Sequence, residues 1–266
     1  MAYEKLIDGM THSFSRMSVY DSCPYEYYLE YLENDPDRPK QDNFYAENGS
    51  ACHTVFEELL NKKISLNDAG EKYSELFSEI EEQTRESIMD STFEKCMDYI
   101  VSLQPLPEKY EILGVEKRLR FKIDHYKFVG FADLILRDKE TGEVILVDHK
   151  SSKHFFKKDG VTPLKNTEEE FLSYKKQMYL YAKGIKDCMG LQVDKIVWHH
   201  FKDGGALSVI PFKQEELDGT IDWVIETIAK IKADDEFPPK LSHFRCQELC
   251  PYRSTCEYLE AEDEEE

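Results

Sequence analysis

The stretch "GEVILVDHKSSK", residues 142–153, sets four aliphatic residues, Val144 to Val147, directly before Asp148 and Lys150, an acid and a lysine two positions apart. An aliphatic, β-branched run entered through a glycine reads as a buried strand. Opposite charges at its end are either solvated or aimed at something. A second acid, Asp133, lies in "FVGFADLIL" on the strand before, and "RDKETGE" between them reads as a turn. If the two strands pair as a hairpin, Asp133 and Asp148 converge near the sheet. Two carboxylates in a partly buried place repel unless a cation joins them, and a divalent metal is the natural partner.

His53, on the helix "GSACHTVFEELL", adds an imidazole, and Lys150 adds a positive charge beside that metal. Oxygen and nitrogen ligands suit Mg²⁺ or Mn²⁺, and the set as a whole suits hydrolysis of a phosphodiester. Lys150 would stabilise charge on the scissile phosphate or orient the attacking water. Taken singly, an acid–x–lysine at a strand end or one histidine on a helix is an ordinary surface or core feature. The combination carries the reading.

At 266 residues and 41% hydrophobic, the chain can bury a real core. The longest apolar runs are a few residues, so no transmembrane helix is expected. "MAYEKLIDGMTHSFSRMS" lacks the apolar centre of a signal peptide, and the protein reads as cytoplasmic, with no membrane partner. Seven cysteines without a secretory signal favour reduced thiols or metal ligands over disulfides. A net charge of -20 excludes general attraction to nucleic acid and leaves room for a local basic groove.

Along the chain, helical spacing dominates from about 12 to 104, with an aromatic stripe at Tyr20, Tyr27, Tyr28 and Tyr31. After "LQPLPEKY" come strands "EILGVEKRLRFKI", "YKFVGFADLILRD" and the opening one, then the helix "EEEFLSYKKQMYLYAKGI", strands "KIVWHHF" and "ALSVIPF", and a helix with Leu217, Ile221, Val224, Ile225, Ile228 and Ile231 on one stripe. The expected fold is α/β, a mixed central sheet flanked by helices in one domain over 1–266. Its core lies at about 110–235, a cysteine-rich region at about 243–259, and a solvated acidic tail at 260–266.

The ordered segments "GSACH", "GFADLIL", "VDHKSS" and "QMYLY" resemble the PD-(D/E)XK nuclease superfamily, and within it the RecB-type and CRISPR-associated iron–sulfur nucleases. The resemblance implies a restriction-endonuclease-like fold, with His53, Asp133 and Asp148 as metal ligands and Lys150 as the catalytic lysine. It also implies a metal-shell contribution from the backbone carbonyl of His149. Gln177 and Tyr181, at i and i+4 on one helix face, match the family's Q-x-x-x-Y and are implied to support the site or face DNA. Glu116, in "GVEKRL", stands where relatives carry an acid on the preceding strand, either as a further ligand or as a solvated strand charge.

"CQELCPYRSTC" places Cys246, Cys250 and Cys256 within eleven residues, a metal signal in its own right. In the related nucleases one N-terminal and three C-terminal cysteines hold a [4Fe–4S] cluster, and Cys23 with this trio matches that arrangement. Three residues between Cys246 and Cys250, where relatives commonly show two, leave Zn²⁺ as the alternative occupant. Cys52, Cys96 and Cys188 read as buried small hydrophobes.

"KSSKHFFKKDG" offers Lys153, Phe155, Phe156, Lys157 and Lys158, lysines for phosphates and phenylalanines to stack on bases; it reads equally as a loop with a hydrophobic anchor. Arg118 and Arg120 on a strand and Arg253 in the cysteine loop are further candidates for phosphate contact. The resulting expectation is a metal-dependent deoxyribonuclease, an exonuclease on single-stranded DNA or DNA ends, serving recombination, repair, replication or CRISPR-type processing. The alternatives are a nucleic-acid-binding subunit beside a helicase or CRISPR adaptation partner, and a zinc-stapled structural protein.

Overall fold

The computed structural model describes residues 3–81, 84–160 and 162–259, so the expected acidic tail at 260–266 lies outside the described residues. In chain order the helices are α1 (Glu4–Gly9), α2 (Phe14–Ser22), α3 (Pro24–Tyr27), α4 (Phe44–Leu60), α5 (Ala69–Ser78), α6 (Glu86–Ser102), α7 (Glu168–Met189) and α8 (Gln214–Ala233). The strands are β1 (Thr11–His12), β2 (Tyr110–Ile123), β3 (Tyr126–Asp138), β4 (Val144–Lys150), β5 (Lys195–His200) and β6 (Ala206–Pro211). They form a mixed sheet in the order β1-β3-β4-β5-β6, with β2 also pairing β3. This is the expected α/β class, of restriction-endonuclease type.

The chain divides into two compact units, Met1–Asn43 with Lys122–Phe128 and Ile221–Glu266, and Phe44–Phe121 with Val129–Thr220. Residues 1–43 and 221–259, from the two ends of the sequence, thus fall in one unit.

In the unit built on residues 44–121 and 129–220, β3 and β4 run antiparallel with Leu134 opposite Val147, whereas β4 and β5 are parallel with Asp148 opposite Trp198. β4 is buried on both sides from Val144 to His149, as expected for a short aliphatic run inside a sheet. Val55 and Phe56 of α4, Tyr73 of α5 and Cys96 and Ile100 of α6 form one apolar cluster. The long α7 opens with three glutamates, Glu168 to Glu170, where the helix dipole favours negative charge. It ends at Gly190, whose φ of +68° is the left-handed conformation that closes a helix at little cost for glycine. Cys52 and Cys96 are fully buried, as expected. Cys188 is not: it is exposed, and its Sγ donates to the carbonyl of Arg120 at 3.1 Å.

In the other unit, Ser13 caps α2 by accepting from the Arg16 amide at 3.2 Å. Cys23 terminates α2, and Pro24 opens α3 directly after it. β1 pairs in parallel with Lys127 and Phe128. The stripe of α8 is buried at Val224, Ile228 and Ile231, but Ile225 is 42% exposed. One residue past Val224 is a turn of about 100°, enough to leave the apolar face.

Candidate active site

β4 alternates, and that alternation sorts the site. His149 packs against Phe56 of α4, ring centroids 4.8 Å apart. Lys150, one residue on, is turned to α7, where its Nζ donates to Gln177 Oε1 at 3.2 Å and lies 4.4 Å from the centroid of the Tyr174 ring. The Lys150 ammonium is also 2.8 Å from Asp148 Oδ2. This contact is an ion pair rather than an aligned hydrogen bond. Burial works against the charge on Lys150, but Asp148, Tyr174 and Asp133 outweigh it and hold its pKa above the ordinary lysine value.

The antiparallel register, continued one step past Leu134 and Val147, sets Asp133 opposite Asp148. Asp133 is buried and accepts from the His149 amide at 2.7 Å. Its pKa is pushed up to about 7, first by burial and then by the charge of Asp148. From α4, His53 reaches the same point: Nδ1 is 3.5 Å from Asp133 Oδ2 and 3.6 Å from Glu116 Oε1. Its Nε2 lies 2.9 Å from the carbonyl of His149. A carbonyl can only accept, so Nε2 carries a proton, and Nδ1 is the nitrogen turned to the carboxylates. Burial lowers the pKa of His53, yet Glu116, Asp133 and Asp148 together raise it above the usual histidine value.

Among the described residues, His53, Glu116 and Asp133 have ligating atoms that all lie within 4.8 Å of one another. Three carboxylates (Glu116, Asp133 and Asp148) face one lysine and one imidazole, and the surplus of negative charge fits a divalent cation held by hard donors. Glu116, left open as a ligand or a solvated charge, is thus drawn into the cluster. Its backbone explains how: φ is +44°, the left-handed region, inside a strand. A non-glycine residue there is strained by roughly 1–2 kcal/mol. The chain is so tightly turned that a Cβ on Gly114 would meet Cβ of Lys117 at 3.2 Å. A groove of about 430 Å³ runs beside the cluster, lined by Ala46, Gly49, Ser50, His53, Glu57 and Glu116 among others.

Gln177 and Tyr181 act as a pair. Gln177 Nε2 donates to the Tyr181 hydroxyl at 3.1 Å while its Oε1 accepts from Lys150, so the amide spans the two. Burial and loss of solvent push the Tyr181 pKa up to about 12. Tyr181 fits because Gly130 has no side chain, since a Cβ there would meet the Tyr181 ring at 2.5 Å.

Three further residues at the site escape a reading by motif. Tyr174 cradles Lys150, and its place three residues before Gln177 on the same helix face was a usable signal. His199 and Tyr99 form a chain behind His149: the two imidazoles meet at 2.7 Å through their Nδ1 atoms, and His199 Nε2 is hydrogen-bonded to the Tyr99 hydroxyl. Burial lowers the pKa of both histidines, that of His199 to about 4, so both are neutral. No spacing in the sequence links positions 99, 149 and 199.

The basic loop differs from expectation. Phe155 is fully buried against Trp198 and His200, with ring centroids 5.3 and 4.7 Å away, and Phe156 is buried against Phe171. Neither offers a face to a base; they anchor the loop, because two adjacent phenylalanines lose more by staying in water than a loop gains by displaying them. Lys153, Lys157 and Lys158 are exposed, as are Arg118 and Arg120. Arg253 has its guanidinium engaged within its own unit, donating to the carbonyls of Cys250 at 3.0 Å and Asp42 at 2.8 Å. It braces the cysteine loop.

The model of the PD-(D/E)XK nuclease superfamily matches residues 11–257. The chain belongs to that superfamily. It is therefore a nuclease, and the family implies a nucleic acid as substrate and generally a divalent metal. The crystal structure of a candidate exonuclease from Eubacterium rectale is similar over 97% of this chain and 90% of that one, with a TM-score of 0.50 and 12% identity, which shows a shared fold. A second solved structure, SSO0001, aligns over 88% of this chain and 96% of that one at 16% identity, but its TM-score of 0.32 carries no argument. No curated protein matches the chain significantly. No helix among the described residues is long and apolar enough to cross a membrane.

In the other unit, Cys23, Cys246, Cys250 and Cys256 line one small pocket. Arg245 donates to Glu26 at 2.7 Å, and Tyr252 to Glu30, closing the pocket's wall. Burial, with Glu26 nearby, pushes the Cys250 thiol up to about 12, and burial also raises Cys256. Thiols so disfavoured as thiolates are ones that a metal would have to deprotonate.

Proposed function

We propose that this nuclease hydrolyses DNA phosphodiesters in a metal-dependent reaction, as an exonuclease on single-stranded DNA or DNA ends. The observation that carries the reading is the meeting of His53, Glu116 and Asp133 within 4.8 Å beside the Asp148–Lys150 ion pair. Magnesium or manganese held there, with Asp148 completing the set, would polarise the phosphate and lower the pKa of a water from about 15.7 toward neutrality. The protein's own groups do the rest. Asp148 keeps Lys150 charged, and Gln177 and Tyr174 fix its direction, so a positive charge waits where negative charge develops. His149 holds His53 by its carbonyl and Asp133 by its amide, which sets two ligands from one backbone position. The small side chains at Ala46, Gly49 and Ser50 leave the groove wide enough for a sugar–phosphate strand.

We further assign a [4Fe–4S] cluster to Cys23, Cys246, Cys250 and Cys256, as a staple whose binding energy supports folding. Cys23, Cys246, Cys250 and Cys256 line one pocket, which supports a single four-cysteine site. The second reading is zinc, favoured by the small space between them, about 20 Å³, enough for one ion. The arrangement of one N-terminal and three C-terminal cysteines is what favours the cluster.

The test is cleavage of 5′- and 3′-labelled single-stranded, duplex and circular DNA in Mn²⁺, Mg²⁺ or chelator by anaerobically purified protein, beside Asp148→Ala and Lys150→Ala. Metal-dependent cleavage lost in both variants is expected; equal behaviour of wild type and variants would overturn the catalytic assignment. Absorbance near 400 nm, about where cysteine-bound clusters absorb, decides between iron–sulfur and zinc.

A further inference from the structure

Phe131 is a large aromatic residue, 47% exposed, in the middle of β3 between two buried neighbours, Gly130 and Ala132. Gly130 faces Tyr181 of α7, and Phe131 is the exposed residue beside it. A single exposed apolar residue is by itself unremarkable. What surrounds this one is specific. The guanidinium of Arg118, on β2, lies 5.8 Å from the centroid of the Phe131 ring. Glu116 stands two residues before Arg118 and Asp133 two residues after Phe131, and these two acids meet at His53. The aromatic–guanidinium pair is therefore two residues along each strand from the candidate metal ligands Glu116 and Asp133. Arg120, two further along β2, is also exposed.

We propose that Phe131 is a stacking platform for one unpaired base of a single-stranded nucleic acid, with Arg118 and Arg120 contacting the phosphates that flank it. The inference rests on the nuclease reading and names its substrate form. A base can lie on the ring only if it is unpaired, and a duplex would have to fray to reach it. The negative chain as a whole repels DNA, so a local cation beside the ring is what such a site requires. The buried pair Phe155 and Phe156 cannot serve this role; Phe131 can.

The experiment measures binding of fluorescein-labelled oligothymidylate by anisotropy in Ca²⁺, without cleavage, and repeats it with a single abasic site moved along the strand. Wild type is compared with Phe131→Ala and Phe131→Trp, with thermal melts as a folding control. The expected result is a roughly 10-fold loss in affinity for Phe131→Ala, recovered in Phe131→Trp. At one abasic position wild type should lose about as much, and Phe131→Ala nothing further, because ring and base are then one interaction. Equal affinity of wild type and Phe131→Ala, or losses that simply add, would overturn the proposal. So would a variant whose only change is weaker self-association in sedimentation, which would assign the ring to a second copy of the chain. Cleavage is scored separately: inactive wild type would sink the nuclease reading while the binding arm still judges the platform.

Discussion

The two candidate metal-binding regions of this protein are built in opposite ways. In one, hard oxygen and nitrogen donors stand on regular elements: Asp133 and Asp148 on paired strands, His53 on α4, and Lys150 held by α7. In the other, four thiols stand where regular structure stops, Cys23 between α2 and α3, Cys246 within a short π-helical turn, and Cys250 at its end. Backbone hydrogen bonds and apolar burial fix the first set independently of any ion. The second set stands on turns braced by Arg245, Tyr252 and Arg253, and the bonds to an occupant would add to that order. Removing the ion from the first should abolish chemistry and spare the fold; removing the occupant of the second should do the reverse locally.

The largest effect expected from this contrast is structural. Cys250→Ala should lose the occupant of the thiol pocket, whose binding energy in small cysteine sites is on the order of 10 kcal/mol. Limited proteolysis should then cut within 1–43 and 221–259 while 44–121 and 129–220 stay protected. Uniform protection would break the comparison.

Next comes Asp148→Asn, which removes a proposed ligand and the counter-charge of Lys150. Cleavage should fall about 10²–10³-fold with the far-ultraviolet circular dichroism unchanged. A variant that unfolds instead would show that the ion pair, not the sheet, holds this site.

Gly130→Ala is a smaller and more graded test. Its Cβ would meet the Tyr181 ring at 2.5 Å, so the ring must move, at about 1–3 kcal/mol, and Gln177 loses a partner. A lower Tm together with a several-fold loss of rate is expected. Tyr181→Ala in the same background should recover stability but not rate.

The smallest effect is in pH. The Asp133 carboxyl, raised to about 7 by burial and then by Asp148, contributes stability that is complete below the ordinary aspartate value near 3.9 and is lost as pH rises through about 7. In chelator, the Tm difference between wild type and Asp133→Asn should therefore shift against wild type between about pH 4 and 7 and then level off. A difference independent of pH would show that Asp133 titrates normally.

Much of the nuclease site was legible because its signals are local. An aliphatic run ending in acid–x–lysine, a second acid on the preceding strand and a glutamine four residues before a tyrosine each lie within one element, where a period of two or 3.6 decides which residues share a face. Glu116 stayed open between a further ligand and a solvated charge, since its place in the cluster depends on a left-handed backbone residue that nothing in "GVEKRL" announces. The basic, aromatic loop stayed open between two readings for the converse reason: "HFFKK" has a binding composition, and only the presence of Trp198, Phe171 and His200 nearby decides that both rings turn inward as an anchor.

By itself, then, the sequence determined the elements, the acids at the strand ends and the clustering of cysteines, all properties carried by neighbours within a few residues. Tertiary structure alone decided the interleaving of the two compact units, the buried His149–His199–Tyr99 chain, and the pairing of Arg118 with Phe131 at the surface. Those depend on which distant segments come to share a volume, and side-chain spacing along one chain holds no record of that.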